Sequence, residues 1–257
     1  FPQDTIVCID RSIYQEWSHS GQNDRISKYF DSANESHSTI LVASGLLDPN
    51  ASNEDLISLN YKLPRNIIDG AAKLGFRVIT FGTVMERLLN SKNNYIQSKM
   101  LLNEYIHSLT SRDSTTLHIQ LHTLYGLGEP SPFMFLGQIL SALRNNVAFK
   151  MTSGCQLREY HHFLDDAEVI QKICGSEITG VVDLSHEKPI SLKDIAQQVF
   201  LAFDKNNLLK IGSLPEPPEE NYDKIFKPKK VNDASFRDTL PAIVNYLKTC
   251  YSSKVHL

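Results

Sequence analysis

Short apolar runs alternate along the chain with longer stretches in which apolar positions recur every three to four residues. The apolar runs that predict buried strands cover 5–10, 39–44, 77–81, 117–121 and 180–184. The helical patterns cover about 53–74, the segment with Tyr95 and Lys99 that continues to Ile106, 130–143, 191–203 and 236–251. Apolar strands that alternate with helices are typical of a parallel sheet covered on both faces.

Two residues are expected to shape the first long helix, and one segment is expected to be a loop. Pro64 is expected to kink the helix over 53–74, because proline lacks the backbone N–H of a regular turn, and Gly75 is expected to end it. The proline-rich stretch 215–220 is predicted to form a loop.

The composition is that of an ordinary globular protein, with 257 residues, 41% hydrophobic and 21% charged. A net charge of -3 gives no electrostatic reason to expect nucleic-acid or membrane binding. No apolar run is long enough to span a membrane, and no signal peptide is recognised. The cysteines lack C-x-x-C spacing, so we expect reduced, mostly buried thiols and a cytoplasmic protein. They are Cys8, Cys155, Cys174 and Cys250.

Tyr95 and Lys99 are four residues apart, which places them on one face of a helix. A nearby ammonium group lowers a tyrosine pKa, and such a tyrosine exchanges protons with a carbonyl or alcohol oxygen. Thr83, at the end of the preceding strand, would hydrogen-bond the same oxygen. Because the chain contains ten tyrosines, this spacing alone is a weak indication of hydride-transfer chemistry.

Candidate polar residues stand at or just after the carboxyl ends of predicted strands. In parallel sheets with helices on both faces, ligands bind at that edge. The sequence therefore predicts that the chemistry lies along one sheet edge. The residues concerned are Asp10, Ser44, Thr83, His122 and Thr123.

Five segments in chain order carry family motifs. They are Asn60 with 66–72 (N-V-x-G-T-x-N-L-L-E-A-A), 77–83 (a strand ending in the catalytic Ser/Thr), 95–99 (Y-x-x-S-K), 121–128 (L-F-N-V-Y-G-P-G) and 154–165 (G-x-Q-x-R-D-F-x-H-V-x-D). Together they resemble the extended short-chain dehydrogenase/reductase family, in its nucleotide-sugar branch. The resemblance implies an α/β fold with a Rossmann-like, doubly wound parallel sheet in 1–127. Residues 128–257 would form a smaller, mainly substrate-binding α/β region, with segments near 158–184 returning to the sheet.

The resemblance also implies roles for the matched residues. Tyr95 would be the general acid/base. Lys99 would bind the nicotinamide ribose and lower the pKa of Tyr95, and Thr83 would hold the reacting oxygen of the substrate. Asp10 would bind the adenosine ribose hydroxyls, which favours NAD, whereas Arg11 would instead meet a 2′-phosphate, which leaves NADP open.

Further positions are assigned to cofactor and substrate. Ser44 is predicted to contact the cofactor, Arg158 the substrate diphosphate, and His122 and Thr123 the substrate. Asp165 is interpreted as a helix N-cap.

A metal site is not predicted. His161 and His162 are adjacent, but the sequence shows no partner cluster with ligand spacing.

The chain departs from the family pattern in two places. It contains no G-x-x-G-x-x-G turn, and it begins just before the second strand of the pattern. Either about 25 residues precede this sequence in the native protein, or the protein is a relative without a dinucleotide site. The second departure is at 84–87, where Val-Met-Glu-Arg replaces a V-Y-G loop that often touches the sugar in the family.

The leading functional hypothesis is NAD(P)-dependent reduction of a nucleotide-linked 4-keto sugar in deoxysugar or polysaccharide biosynthesis. A nucleotide-sugar 4-epimerase is the nearest alternative. A dehydratase is disfavoured because Val84 and Met85, rather than an acidic pair, follow Thr83. An alternative from another class is a cofactor-free binding or scaffold protein. A homodimer is expected through the Tyr95 helix and the preceding helix, around 60–74. Exposed apolar positions at Met100, Leu101 and Ile106 would fit such an interface, and they would fit core packing as well.

Overall fold

The computed structural model describes residues 6–32, 39–48, 50–88, 93–109, 115–216 and 235–253. The chain divides into two compact units. The first unit comprises 1–121 and 170–183, and the second comprises 122–169 and 184–257. In the part of the chain that is described, no helix has the length and apolar character needed to cross a membrane.

The first unit is built on a parallel sheet with the strand order β1-β2-β3-β8. Its strands are β1 (Thr39–Val42), β2 (Arg77–Thr83), β3 (Leu117–Leu121) and β8 (Gly180–Asp183). Ile79, in the middle of β2, pairs with Leu41 and Leu117 and is fully buried. The predicted parallel sheet is therefore confirmed, because near-continuous apolar strands are stable only when helices cover both faces.

Helices surround this sheet. They are α1 (Arg11–Tyr14), α2 (Asn23–Ser32), α3 (Asn53–Ile57), α4 (Leu63–Ala72) and α5 (Asn94–Leu109). The core between them contains Trp17, whose ring meets Tyr29 in an edge contact at 5.2 Å. Ile26 on α2 packs so closely against Gly70 on α4 that a Cβ at Gly70 would lie 2.6 Å from the Ile26 side chain.

The helical pattern over 53–74 forms α3 and α4 with one π turn, Ser58–Lys62, between them. Pro64 lies in the first turn of α4, where its missing N–H does the least harm. The expected irregularity at Pro64 therefore takes the form of a π turn just before it. This turn contains Asn60, which is buried. The segment after α4 turns at Gly75, whose φ of 72° suits glycine.

The strand predicted over 5–10 is wrong for 6–10, and Thr5 lies outside the described residues. Residues 6–10 are extended but pair with no described strand, and Val7 is 86% exposed. An apolar run becomes a strand only where a neighbour satisfies its backbone N–H and C=O groups.

The second unit combines short strand pairs with helices. Strands β4 (Thr123–Tyr125) and β7 (Tyr160–His162) pair in parallel, as do β5 (Phe149–Lys150) and β10 (Leu209–Lys210). Strands β6 (Leu157–Arg158) and β9 (Ile190–Ser191) pair antiparallel. The helices are α6 (Phe135–Asn145), α8 (Leu192–Ala202) and α9 (Thr239–Ser252), and their core includes Leu143, Phe200 and Leu247.

Helix α7 (Phe163–Cys174) follows β7 directly, so Asp165 lies inside its first turn. The N-cap interpretation of Asp165 is wrong. Its carboxylate instead accepts a hydrogen bond from the backbone N–H of Arg237 at 2.9 Å and pairs with the Arg237 guanidinium at 3.3 Å.

Two further predictions concern a loop and the cysteines. Of the predicted loop 215–220, the part 217–220 lies outside the described residues. The four cysteines are free, but only Cys250 is buried; Cys174 is half-buried, and Cys8 and Cys155 are exposed. The prediction of mostly buried thiols is therefore wrong.

Candidate functional site

Tyr95 and Lys99 lie on α5, where the sequence placed them. The Asn93 side chain accepts hydrogen bonds from the backbone N–H groups of Tyr95 and Ile96, at 2.9 and 3.3 Å, and so fixes the start of the helix. Lys99 is only 7% exposed, and its ammonium donates to the carbonyl oxygen of Phe81 at 3.1 Å. The ammonium of Lys99 is thereby anchored to strand β2, two residues before Thr83.

Thr83 ends β2 and caps the 3-10 turn Val84–Arg87. Its backbone N–H donates to Glu86 Oε1 at 2.8 Å, and its Oγ1 accepts from the Met85 N–H at 3.3 Å. This is a reciprocal capping box, with a threonine followed three residues later by a glutamate. Helix α5 packs against the turn. Neighbouring elements of the first unit therefore carry Thr83 and the Tyr95–Lys99 pair.

Asn60 links the loop after β1 to α5. Its side chain accepts from the Leu46 N–H at 2.8 Å and donates to the Leu46 carbonyl and the Ser98 hydroxyl, each at 3.0 Å. A Cβ at Gly45 would lie 3.4 Å from both Asn60 Oδ1 and Lys99 Nζ, so this loop passes beside Lys99. The neighbouring Ser44 Oγ is buried and has no hydrogen-bond partner among the described residues.

A buried polar network lies beneath Thr83, and the sequence analysis missed it. Glu86 Oε2 meets His118 Nε2 at 3.1 Å and Gln120 Nε2 at 3.0 Å, and the Thr80 hydroxyl meets His118 Nδ1 at 2.7 Å. A neutral His118 with its proton on Nε2 satisfies both contacts of the ring. The T-x-x-E spacing from Thr83 to Glu86 is the sequence signal that could have revealed the network.

The same carboxylate changes the acid–base properties of Tyr95. Burial, and then the negative charge of Glu86, raise the pKa of Tyr95 to about 12. Burial lowers the pKa of Lys99, while Glu86 acts in the opposite direction. The expected lowering of the Tyr95 pKa is therefore wrong for the chain itself, and Tyr95 is a neutral phenol at physiological pH.

Asp10 and Arg11 lie at the start of the described chain. The Asp10 carboxylate caps α1, accepting from the Ser12 N–H at 2.8 Å and the Ser12 hydroxyl at 2.6 Å. These bonds lower the pKa of Asp10. Arg11 is exposed. The assignment of these two residues to the cofactor stays a prediction.

The predicted substrate residues His122, Thr123 and Arg158 belong to the second unit. The Thr123 N–H donates to the Glu159 carbonyl at 3.1 Å, which starts the pairing of β4 with β7. Arg158 is half-buried and donates to the Leu157 carbonyl at 2.8 Å. The first unit thus contains Ser44, Thr83, Tyr95 and Lys99, and the second contains the proposed diphosphate ligand.

Solved structures with this architecture were found by structural comparison. GDP-L-fucose synthetase from Naegleria fowleri matches with a TM-score of 0.64 and 15% identity, over 94% of this chain and 83% of that one. UDP-N-acetylglucosamine 4-epimerase from Methanobrevibacter ruminantium M1, solved with UDP-N-acetylmuramic acid, matches with a TM-score of 0.64 and 15% identity, over 87% of this chain and 78% of that one. The Bordetella bronchiseptica enzyme WbmG, solved with NAD and UDP, matches with a TM-score of 0.62 and 17% identity, over 91% of this chain and 80% of that one.

This chain has the extended short-chain dehydrogenase/reductase fold. The fold expected from the sequence motifs is therefore confirmed. At these identities the likeness concerns the fold alone. No protein-family model matches the chain, and no curated protein matches its sequence.

The second unit also contains a buried group of titratable residues that includes His122, one of the predicted substrate residues. His161 Nδ1 meets Asp166 at 2.7 Å and its Nε2 meets Glu159 at 3.1 Å, while His122 Nε2 lies 3.9 Å from the same Glu159 oxygen. Burial lowers the pKa of His161, but the bonds to Asp166 and Glu159 outweigh it and raise that pKa to about 9. The expectation that His161 has no partner cluster is wrong.

Proposed function

We propose that this protein is an NAD(P)-dependent oxidoreductase that reduces the 4-keto group of a nucleotide-linked sugar. The observation that carries the proposal is the buried ammonium of Lys99, which donates a hydrogen bond to the Phe81 carbonyl near the end of β2. Lys99 is on the same helix as Tyr95, and its ammonium lies beside the loop that contains Gly45. A buried ammonium is costly unless it has partners. A single carbonyl leaves two of its three N–H donors for ribose hydroxyls.

The residues of the first unit fit a nicotinamide cofactor. Lys99 and Tyr95 would hold the nicotinamide ribose, and the buried Ser44 hydroxyl, which has no partner among the described residues, would hydrogen-bond the cofactor. Asp10 would bind the adenosine ribose of NAD, or Arg11 the 2′-phosphate of NADP. When bound, the reduced cofactor supplies the hydride.

The proton in this reaction would come from Tyr95. A protonated phenol can donate its proton to the oxygen of a ketone that accepts a hydride. Because a pKa of about 12 makes Tyr95 a weak acid, the nearby Lys99 ammonium would favour the phenolate that is left behind. The Thr83 hydroxyl accepts from the Met85 N–H and would donate its own hydrogen to the same oxygen.

The nucleotide-sugar substrate is proposed from the motif around Arg158 and from the fold. The Arg158 guanidinium would bind the diphosphate in a bidentate manner, and His122 and Thr123 would contact the sugar. The ligands named for two of the matched structures, UDP-N-acetylmuramic acid and UDP, support this class of substrate. A role in deoxysugar or polysaccharide biosynthesis follows from the same proposal.

A homodimer through α5 and the helix before it also remains part of the proposal. Leu101 on α5 is 36% exposed, which supports an apolar contact there. Ile106, however, is fully buried in the core of the first unit. Ile106 therefore packs in the core, which is the second of the two roles that the sequence left open for it.

The decisive experiment measures NADH or NADPH oxidation with a panel of nucleotide-linked 4-keto sugars. Tyr95→Phe is expected to lower kcat by about 100-fold or more, because it removes the proton donor, and to weaken NADH binding by no more than about tenfold, because Lys99 would still bind the nicotinamide ribose. Tyr105→Phe, on the same helix, is the matched control and should keep the activity. Equal turnover by Tyr95→Phe would refute the proposed mechanism.

The same assay separates the alternatives. A 4-epimerase would interconvert nucleotide sugars without net consumption of NADH and would retain NAD through purification. A cofactor-free binding or scaffold protein would bind neither NADH nor NADPH in a fluorescence titration. Either result would overturn the reductase proposal.

A further inference from the structure

Strand pairing in the second unit brings three potential metal ligands to one face. Thr123 pairs with Tyr160 in parallel register, so His122 and Glu159, which stand one residue before the two strands begin, are opposite each other. Side chains two residues apart on a strand share a face, so His161 lies on the same face as Glu159. Register alone therefore groups His122, Glu159 and His161.

The side chains meet as the backbone predicts. One ligand atom from each of these three residues lies within 4.8 Å of the other two, and all three residues are buried. Both histidines direct Nε2 to the same oxygen, Glu159 Oε2, at 3.1 Å for His161 and 3.9 Å for His122. Zinc ligands at about 2.0–2.2 Å from a tetrahedral ion stand about 3.4 Å from one another, close to these separations.

The surroundings orient the ligands as a metal site requires. The other nitrogen of His161, Nδ1, meets Asp166 Oδ1 at 2.7 Å, which leaves Nε2 to face Glu159. Metal-binding histidines nearly always use their second nitrogen in this way, and a carboxylate partner makes the ring a stronger ligand. Glu159 is fixed as well, because its oxygens accept hydrogen bonds from the Ser185 hydroxyl at 2.8 Å and the His186 N–H at 2.9 Å.

We propose that His122, Glu159 and His161 bind one zinc ion in the second unit. Two imidazoles and one carboxylate are a donor set that zinc uses with a water molecule as the fourth ligand. The ion would join β4 to β7 and compensate the buried negative charges of Glu159 and Asp166.

His186 is close but is not a proposed ligand. Its ring stacks on His161 with the centroids 4.5 Å apart, but its Nδ1 accepts the Lys188 N–H at 3.0 Å, and its Nε2 lies 3.5 Å from the Thr239 hydroxyl. His186 Nδ1 also lies 3.4 Å from Glu159 Oε2, but its lone pair already accepts the Lys188 N–H and is therefore not available to a metal ion.

The test uses the full chain, stripped of metal with a chelator and titrated with zinc chloride against a competing chromophoric chelator. One zinc ion per chain and a raised Tm are expected, and Co²⁺ in place of zinc should give the intense visible absorption of a tetrahedral site. His122→Gln should weaken zinc binding at least about 100-fold, and Asp166→Asn about 10–100-fold. His162→Gln, which changes the neighbouring histidine of β7, should bind zinc as the unaltered chain does.

If a variant fails to fold, zinc binding by the unaltered chain is sufficient to test the proposal. Absence of stoichiometric zinc binding, or a weak octahedral cobalt spectrum, would overturn the proposal. So would zinc affinity in a folded His122→Gln or Asp166→Asn chain equal to that of the unaltered protein. None of these measurements depends on NADH or on a sugar substrate, so they are independent of the proposed reductase activity.

Discussion

Glu86 Oε2 lies 3.1 Å from His118 Nε2, and neither side chain is exposed to solvent. A carboxylate in such a place is stable because both of its oxygens accept hydrogen bonds, here from the Thr83 N–H on Oε1 and from His118 and Gln120 on Oε2. The pair therefore links the core of the sheet to the turn that carries Thr83. It also provides a fixed negative charge that acts on Tyr95.

Removal of that charge should make Tyr95 more acidic. Because the carboxylate of Glu86 contributes to the raised pKa of Tyr95, Glu86→Gln should move this pKa from about 12 towards the ordinary value of about 10. The measurement is 13C NMR of tyrosine-labelled chain as a function of pH, with the Tyr95 resonance assigned through Tyr95→Phe. Glu104→Gln, an exposed change on the same helix, should leave the Tyr95 resonance unaltered. An unchanged or higher Tyr95 pKa in Glu86→Gln would contradict this account.

Gly82 is expected to tolerate no side chain. A Cβ there would lie 2.2 Å from both Glu86 Oε1 and His118 Nε2, and both atoms are held by the buried network. Gly82→Ala should therefore lower the free energy of unfolding by about 1–3 kcal/mol, measured by urea denaturation. Gly175→Ala is the control, since its Cβ would meet only the Lys172 carbonyl, at 3.6 Å. Equal stability of the two variants would argue against the crowding described at Gly82.

Asn60 should contribute more to stability than its partner Ser98. Asn60→Ala removes three hydrogen bonds and takes this partner from the N–H and C=O groups of the half-buried Leu46, which should cost about 2–3 kcal/mol. Ser98→Ala removes the serine hydroxyl but leaves both Leu46 bonds in place, and should cost about 1 kcal/mol. Thermal or urea unfolding of both variants checks the order, and a larger loss for Ser98→Ala would reverse the assignment.

The parallel sheet could be predicted from the sequence because its strands are buried on both faces. In β3, Leu117, Ile119 and Leu121 alternate with the buried polar residues His118 and Gln120, and the predicted bounds 117–121 are those of the structure. The described residues 6–10 are also largely apolar, but they form no strand because no described neighbour pairs with them. An apolar pattern indicates how much apolar surface a segment can bury. It does not show whether a neighbouring strand is present to pair with the backbone of that segment.

The buried networks were harder to predict because they depend on register. Glu86 belongs to the segment 84–87, which the motif comparison treats only as a replacement of the V-Y-G loop, although the capping spacing from Thr83 is visible in the sequence. His122 and Glu159 are 37 positions apart in the sequence, and only the pairing of β4 with β7 places them opposite each other. Pairwise spacing along a chain carries no information about such cross-strand neighbours.

In the proposed mechanism, the capping box at Thr83 gives one hydroxyl two tasks. Because the Met85 N–H already occupies a lone pair of Oγ1, the turn biases the hydroxyl hydrogen away from the backbone and towards any oxygen placed beside it. Folding of the turn would thereby set the direction of the proposed hydrogen bond to substrate before any ligand arrives. Serine at this position would preserve both tasks, whereas alanine would remove them together.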